Sequence, residues 1–343
     1  MTGIEAIRTS AAFSIVEHVT SLRVSGSGAF SALDRICPRK LFLRDGQMMH
    51  TLLLRDDARP LADLYVCADD QDFILFAEGI TAAALTELLA GPNVDVADLA
   101  TTHGLVSLDG PYAWEVFSEL AGPEVIGQPY MTFFHSDDLT AFRAGKTGEF
   151  GYTLMVPADR VAPLRTTLLD RGAAFDLVEA DLAAYEQCAL ENWYFNIRRE
   201  GLVDASPVEL QLQWRVSADK QYAGSAALAE RRKTATQRLL LCAASGEVAI
   251  GDRVMYGETA IGTVINAGFS SVRNDWVASA LVDRAYSHPR ISAYAIAHGS
   301  ARVPIETLAA PALNNRSLYV NPQQHSYQTR NEVQYPPIAV LKA

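Results

Sequence analysis

The fold of this chain is constrained most by its hydrophobic pattern, which changes between the alternation of a strand and the spacing of a helix. Thr20–Ser25 alternates polar and apolar residues, which is the period of a half-buried strand. After a glycine break, Ala29–Ile36 has apolar residues at helical spacing. Strand-like runs follow at Met48–Leu54 and at residues 64–68 and 73–77, and a helix is predicted over residues 81–89. This order of elements is typical of an α+β unit.

A second block repeats the same order further along the chain. The pattern predicts strands at residues 105–108, 130–134, 139–143 and 152–156, and helices at residues 110–120, from Pro163 onward and over 181–199. After residue 238 the pattern changes to short strands with glycine turns, typical of a small β-barrel or sandwich. We predict an α+β chain with lobes at residues 1–95 and 96–232, a β-barrel-like domain at 233–306 and an extended tail at 307–343.

Charge and composition exclude several classes of function. The 343 residues carry 29 basic and 40 acidic side chains, a formal net charge of −11, which argues against nucleic acid as a partner. No segment has the pattern of a secretion signal or of a membrane span. The four cysteines are far apart, and neither they nor the seven histidines have the spacing of a metal site. A cytoplasmic protein without a bound metal is therefore expected.

A glycine-rich segment, RAGKTGEFGY at residues 143–152, is the most informative motif. Gly145, Gly148 and Gly151 bracket Thr147 and Glu149, so the backbone can turn sharply and approach a ligand. A carboxylate on such a turn can accept two parallel N–H bonds from a pterin or a guanine. The motif lacks the order of a phosphate-binding loop. Taken alone, it also fits an ordinary hairpin with an exposed glutamate.

Two further acids stand in unusual surroundings. Asp63 lies at the entry of a very apolar strand, where a buried charge needs a hydrogen-bond partner or a chemical role. The alternative for Asp63 is the cap of a turn. Glu191 lies on a predicted helix and is followed closely by Trp193 and Tyr194. Taken alone, such an aromatic cluster is more often part of a hydrophobic core than a surface for a ligand.

Together and in this order, the segments resemble the glycine-cleavage T-protein family of folate-binding aminomethyltransferases and their demethylase relatives. The most diagnostic match is to the motif R-T-G-Y-T-G-E-x-G-[FY], carried here by Arg143, Gly145, Thr147, Gly148, Glu149, Gly151 and Tyr152. Weaker matches are the strand at residues 21–26, Asp63-Leu64, Gly110-Pro111, Leu190-Glu191, the segment from Pro207 to Glu209, and Gly262 to Val264. The resemblance covers residues 10 to 305.

The resemblance implies a three-domain ring that holds tetrahydrofolate in its central opening. On this model Glu149 and Glu191 hold the pterin edge, and Asp63 is the catalytic acid beside the nitrogens that carry the one-carbon unit. Gly148, Thr147 and Arg143 of the motif are also expected to contact the cofactor. Trp193 and Tyr194 are expected to do so too, although the family has small residues after Glu191. The chain departs from the family pattern at Glu78, Lys146 and Ala189, where an asparagine, an aromatic residue and an arginine are expected.

The function expected from this resemblance is tetrahydrofolate-dependent transfer of a methyl or methylene group to or from a small molecule, with no nucleic acid, membrane or readable protein partner. One alternative is a folate-binding module without turnover. The K-G-C-x-x-G-Q signature of such relatives is absent from residues 196–203. Another is the same scaffold diverted to a folate-independent reaction.

Overall fold

The computed structural model describes residues 1–136 and 139–339. Its helices are α1 (Gly3–Thr9), α2 (Ala29–Ile36), α3 (Ala82–Leu89), α4 (Ala113–Ala121), α5 (Val161–Gly172), α6 (Leu182–Glu191) and α7 (Ser225–Thr234). Its strands are β1 (Ala12–Val16), β2 (Thr20–Ser25), β3 (Met48–Leu54), β4 (Pro60–Asp69), β5 (Asp72–Glu78), β6 (Asp95–Asp98), β7 (His103–Asp109), β8 (Phe133–His135), β9 (Thr140–Phe142), β10 (Gly151–Pro157), β11 (Val178–Glu179), β12 (Gln237–Ala244), β13 (Arg253–Tyr256), β14 (Thr259–Ser270), β15 (Asp275–Asp283), β16 (Tyr294–His298) and β17 (Ala301–Leu308). The predicted strands and helices of the first block are confirmed.

The first lobe is built on a five-stranded antiparallel sheet with the order β3-β4-β5-β2-β6. Alternate side chains of β4 point to opposite faces of this sheet. Leu64 and Val66 pack in the core that also contains Leu33 of α2 and Leu85 of α3. Asp63 is therefore directed to the face that lies away from these helices.

The second lobe has a six-stranded sheet with the order β11-β1-β7-β10-β9-β8. Strand β1 pairs antiparallel with β7 and parallel with β11, so residues near the N-terminus belong to this sheet and not to that of the first lobe. Phe13 of β1 and Leu154 of β10 pack in one core with Phe117 of α4 and Leu168 of α5. The sheet of the second lobe thus also has one face covered by helices.

The third part of the chain is a closed antiparallel barrel with the order β12-β15-β14-β13-β16-β17, which confirms the predicted barrel. Its interior includes Cys242, Val264 and Ile296. Leu239 and Leu281 of the barrel pack instead in a core shared with Leu52 of β3. This shared core joins the barrel to the first lobe.

The helix predicted over residues 181–199 is shorter than expected. Asp181 caps its N-terminus by accepting a bond from the backbone N–H of Ala184, and the helix ends at Glu191. Trp193 has a φ of +64°, which an α-helix cannot accommodate. The aromatic residues after Glu191 therefore lie in a loop and not on the helix face, so this part of the prediction is wrong.

The tail after β17 packs on the second lobe. Val320 and Tyr327 are buried in the core of that lobe beside Tyr112. The Tyr327 ring meets the Tyr112 ring edge-on, with 5.3 Å between ring centroids. The last residues of the predicted tail, 340–343, lie outside the described part of the chain.

Candidate active site

A cavity of about 140 Å³ lies where the uncovered faces of the two sheets meet α6 and the loop that follows it. The first sheet contributes Met48, Asp63, Tyr65, Phe76 and Glu78, and the second sheet contributes Ser14, Leu105, Ser107, Phe142 and Thr153. The third side is formed by Tyr185, Glu186, Ala189, Asn196 and Arg198. The glycine-rich segment adds Ala144, Gly145 and Lys146. The cavity is therefore shared by both lobes.

The walls of the cavity are mostly apolar on the side of the aromatic residues. The rings of Phe76 and Phe142 meet edge-on, with 4.7 Å between their centroids. Beside Phe142 in the sheet of the second lobe, Ser14, Ser107 and Thr153 form a row of small side chains, because Ser107 is paired with both of the others and Thr153 is paired with Phe142. Such a site can bury a flat or methyl-bearing ligand and exclude water from it.

Asp63 is the acid at the polar end of this cavity, and only 2 % of its surface is exposed. Its Oδ1 lies 2.7 Å from Nε2 of His50 and accepts a bond of 2.8 Å from Nη1 of Arg215. Its Oδ2 lies 2.7 Å from Nζ of Lys146. A buried carboxylate with three such neighbours is held in one orientation.

These neighbours fix the charge of Asp63. Burial opposes its ionisation, but His50, Lys146 and Arg215 outweigh burial and hold the pKa of Asp63 well below its ordinary value. Burial is also the largest effect on His50 and lowers its pKa to about 4, although Asp63 favours the protonated ring. At neutral pH the site therefore contains an aspartate and a neutral histidine. Because the aspartate can only accept, Nε2 of His50 carries the proton between them.

We expect the low pKa of His50 to make the fold sensitive to acid. In an unfolded chain a histidine titrates near pH 6.5, so between about pH 6.5 and pH 4 the unfolded state binds a proton that the folded state does not. Above pH 6.5 the effect is absent. Between pH 7 and pH 4.5 the wild type should lose on the order of 2–3 kcal/mol more stability than His50→Asn. Chemical denaturation at each pH measures this difference, and parallel curves for the two proteins would contradict the assignment.

A chain of alternating charges runs from Asp63 along the rim of the cavity. The Lys146 ammonium, which forms an ion pair with Asp63, donates a hydrogen bond to Oε1 of Glu78. Oε2 of Glu78 lies 3.3 Å from Nη1 of Arg198, and Nη2 of Arg198 lies 2.9 Å from Glu186. Burial works against the charged form of Lys146, yet Asp63 and Glu78 raise its pKa. The polar rim is thus a balanced set of fixed charges.

Glu149 and Glu191, predicted to hold the pterin edge, are buried but do not line this cavity. The backbone N–H groups of Arg316 and Ser317 and the Ser317 hydroxyl donate to Glu149, at 3.1, 2.8 and 2.6 Å. Arg8 of α1 lies 2.7 Å from Oε2 of Glu191 and 3.8 Å from Oε1 of Glu149. The tail and the first helix therefore occupy both acids in this structure.

The remaining predicted contacts of the glycine-rich segment also have partners within the protein. Arg143 donates to the carbonyl of Gly151 at 2.9 Å. Thr147 donates to Asp109 at 2.9 Å. Gly148 has a φ of +82°, and a Cβ there would come within 2.3 Å of the Asn192 side chain. The segment is held tightly, and glycine is required at residue 148.

The two predicted aromatic contacts do not line the cavity that contains Asp63. Trp193 and Tyr194 line a separate crevice of only about 10 Å³, together with Leu190 and Leu212. A crevice of this size is too small for an organic ligand. Of the residues predicted to contact the cofactor or the reacting group, the structure brings only Asp63 to the main cavity.

Comparison with known proteins identifies the family to which this chain belongs. The family model described as the GCVT N-terminal domain matches residues 2–220. The chain belongs to this family. It is 25 % identical to an aminomethyltransferase of Thermotoga sp. strain RQ2 over 81 % of this chain and 80 % of that protein, and 27 % identical to one of Saccharopolyspora erythraea over 89 % and 88 %.

The fold predicted for a GCVT protein is also confirmed by a solved structure. The glycine cleavage system aminomethyltransferase T of Bartonella henselae superposes with a TM-score of 0.81, over 90 % of this chain and 88 % of that one, at 23 % identity. At this identity the likeness establishes the fold. Among the described residues of this GCVT protein, no helix is long and apolar enough to cross a membrane and no cluster of ligands for a metal ion is found.

Several residues of the candidate site were not found by sequence reasoning. His50, Tyr65 and Arg215 carry no motif, and arginine is ordinarily an exposed residue. Lys146 and Glu78 were recognised only as departures from the family pattern. The one available signal was that both departures replace uncharged residues of the GCVT pattern by opposite charges, which is what an ion pair requires.

Proposed function

We propose that this protein is a tetrahydrofolate-dependent one-carbon transferase that acts on a small molecule in the cavity beside Asp63. The observation that carries this proposal is a buried, ionised carboxylate at the end of a largely apolar cavity in a GCVT-family chain. The relatives named aminomethyltransferase support the transferase class. A demethylase reaction and a cytoplasmic location remain predictions.

The chemistry of the cavity fits a folate. Phe76, Phe142 and Leu105 offer an apolar surface to a flat ring, and the buried Tyr65 hydroxyl has no hydrogen-bond partner among the described residues. When bound, tetrahydrofolate would supply the nitrogen atoms that carry the one-carbon unit. On this proposal, Glu149 can bind the pterin edge only after the hydrogen bonds that it accepts from Arg316 and Ser317 have broken.

Asp63 acts by its charge on this proposal. Because its pKa lies well below the ordinary value, its carboxyl group has no proton to donate at neutral pH. In a site shielded from water, its fixed negative charge offsets the charges of Lys146 and Arg215 and so favours partial positive charge that develops on the transferred carbon. Arg215 and His50 keep the carboxylate in place while this happens.

A direct test is to fill the cavity and measure binding of tetrahydrofolate by calorimetry. Ser14→Leu places a larger apolar side chain in the cavity. We expect it to weaken binding of tetrahydrofolate at least about tenfold, because the leucine side chain would clash with the bound cofactor. The matched control is Ser245→Leu, which lies at an exposed position of the barrel. No binding by the wild type, or equal binding by Ser14→Leu, would remove the proposal.

A folate-independent reaction in the same cavity is the second candidate. The observation that favours it is the occupation of Glu149 and Glu191 by Arg8 and the tail. The same titration with Glu149→Gln distinguishes the roles of this acid. A loss of affinity would support its contact with the pterin, whereas unchanged affinity with reduced thermal stability would show that it serves only to hold the tail.

A further inference from the structure

Two carboxylates face each other directly on neighbouring strands of the cavity wall. Asp63 of β4 is paired in register with Glu78 of β5, and both side chains line the cavity. Like charges at directly opposite positions of an antiparallel pair destabilise a sheet. A cation is therefore needed between these two acids.

Lys146 supplies this cation from the other lobe. It lies in the glycine-rich segment, its Nζ is 2.7 Å from Oδ2 of Asp63, and it also donates to Glu78. It occupies the place where a positively charged ligand would find both carboxylates. The lysine side chain is 19 % exposed, so it lines the cavity and is not sealed beneath it.

The other acid that lines the cavity is paired as well. Glu186 is 2.9 Å from Arg198, and Arg198 also lies 3.3 Å from the second oxygen of Glu78. Each acidic side chain of the cavity wall thus has a resident basic partner within the described residues. A ligand carrying an ammonium or sulfonium group would have to displace Lys146 and remain beside a like charge.

We propose that Lys146 sets the substrate class of this site, so that the one-carbon donor is a molecule without positive charge at the transferring heteroatom, an ether or thioether rather than an amine. This inference rests on the proposed function. In the transfer, the bond between the methyl carbon and the heteroatom of the donor breaks and a bond from that carbon to the acceptor nitrogen forms. The electron pair stays with the donor heteroatom, which takes up the proton released by the acceptor nitrogen.

The test uses two probes of nearly the same shape, benzyl methyl ether and N-methylbenzylamine, the second being cationic at neutral pH. Both bind through an apolar ring that the walls at Phe76 and Phe142 can accept. We expect the wild-type protein to bind the ether at least about tenfold more tightly than the amine, because no carboxylate of the cavity wall is left unpaired to bind the charged amine. Titrations are made with and without saturating tetrahydrofolate.

Lys146→Met keeps the length of the side chain and removes its charge, so the preference should fall to parity or reverse towards the amine. Lys146→Arg should retain the preference for the ether. The control is Lys40→Met, which removes a lysine that is paired with Asp219 on the surface. If Lys146→Met does not fold, the wild-type ratio and the arginine variant still decide the question.

Equal or tighter binding of the amine by the wild type would overturn the inference, as would an unchanged ratio in Lys146→Met. Failure of both probes to bind would also overturn it, since the cavity would then not be the donor site. The tetrahydrofolate titration tests the proposed function independently of this inference. Folate binding without charge preference rejects this inference alone, and a charge preference without folate binding rejects the proposed function alone.

Discussion

Asp63→Asn is expected to reduce one-carbon transfer at least about a hundredfold, since a single group placed to stabilise developing charge contributes a factor of this size. Asparagine has the same shape and keeps an acceptor for Arg215 and His50, but it carries no charge. Binding of tetrahydrofolate should change far less than the rate. The measurement is the yield of the one-carbon adduct of tetrahydrofolate in single turnovers with a panel of methyl donors, first established with the wild type.

Loss of stability must be separated from loss of chemistry in this variant. Removing the charge of Asp63 leaves Arg215 buried without its carboxylate, which costs up to about 3–5 kcal/mol. Rates are therefore compared at a temperature where circular dichroism shows the variant to be folded. Asp95→Asn, an exposed position of β6, is the matched control. A rate within threefold of wild type would show that Asp63 has no catalytic role.

The fold was predictable where the periodicity of the sequence is local. β2, α2 and β3 have the predicted bounds because alternation and helical spacing reflect which side chains must be buried. The pairing of β1 with β7 and β11 was not predictable in this way. β1 lies about 90 residues from β7 and about 165 residues from β11. The residues of a short strand do not specify which distant strand it pairs with.

The same distinction explains the candidate site. Asp63 was found because an acid within an apolar strand is costly unless it has a role. Its partners were not found, because Arg215 and Lys146 come from segments remote in sequence, and their burial depends on the completed fold. Glu149 was recognised from its glycine-rich surroundings, but these did not reveal that the donors of Ser317 would reach it.

The tail and the first helix meet at the acids predicted to bind the pterin. Asn315 of the tail accepts from Arg8, and its amide donates to Asn192 just after α6. Arg8 also donates to the carbonyl of Thr147. Helix α1 and the tail thereby hold the glycine-rich segment in place, and Lys146 of this segment lines the cavity. The geometry of the active site depends on this junction even though none of its members lines the cavity.

Arg8→Met is expected to destabilise the protein by about 3–5 kcal/mol, the cost of leaving a buried charge without its partner. Arg8 is 1 % exposed and donates at 2.6 Å to Thr147, at 3.2 Å to Cys188 and at 2.7 Å to Glu191. Its removal leaves the Glu191 carboxylate buried with the amide of Gln187, at 3.2 Å, as its one remaining side-chain donor among the described residues. Chemical denaturation measures the loss, and Arg44→Met at an exposed position should change stability by less than about 0.5 kcal/mol.

A double-mutant cycle identifies the cause of this loss. If the unpaired charge of Glu191 dominates, Arg8→Met combined with Glu191→Met should be less destabilised than the sum of the two single variants by at least about 1 kcal/mol. Arg8→Lys should recover only part of the loss, because one ammonium cannot reach the partners of both guanidinium nitrogens. Additive losses in the cycle would mean that Arg8 acts through its other partners, the Thr147 and Cys188 carbonyls, Asn315 and Glu149, and that the ion pair with Glu191 contributes nothing to holding the glycine-rich segment.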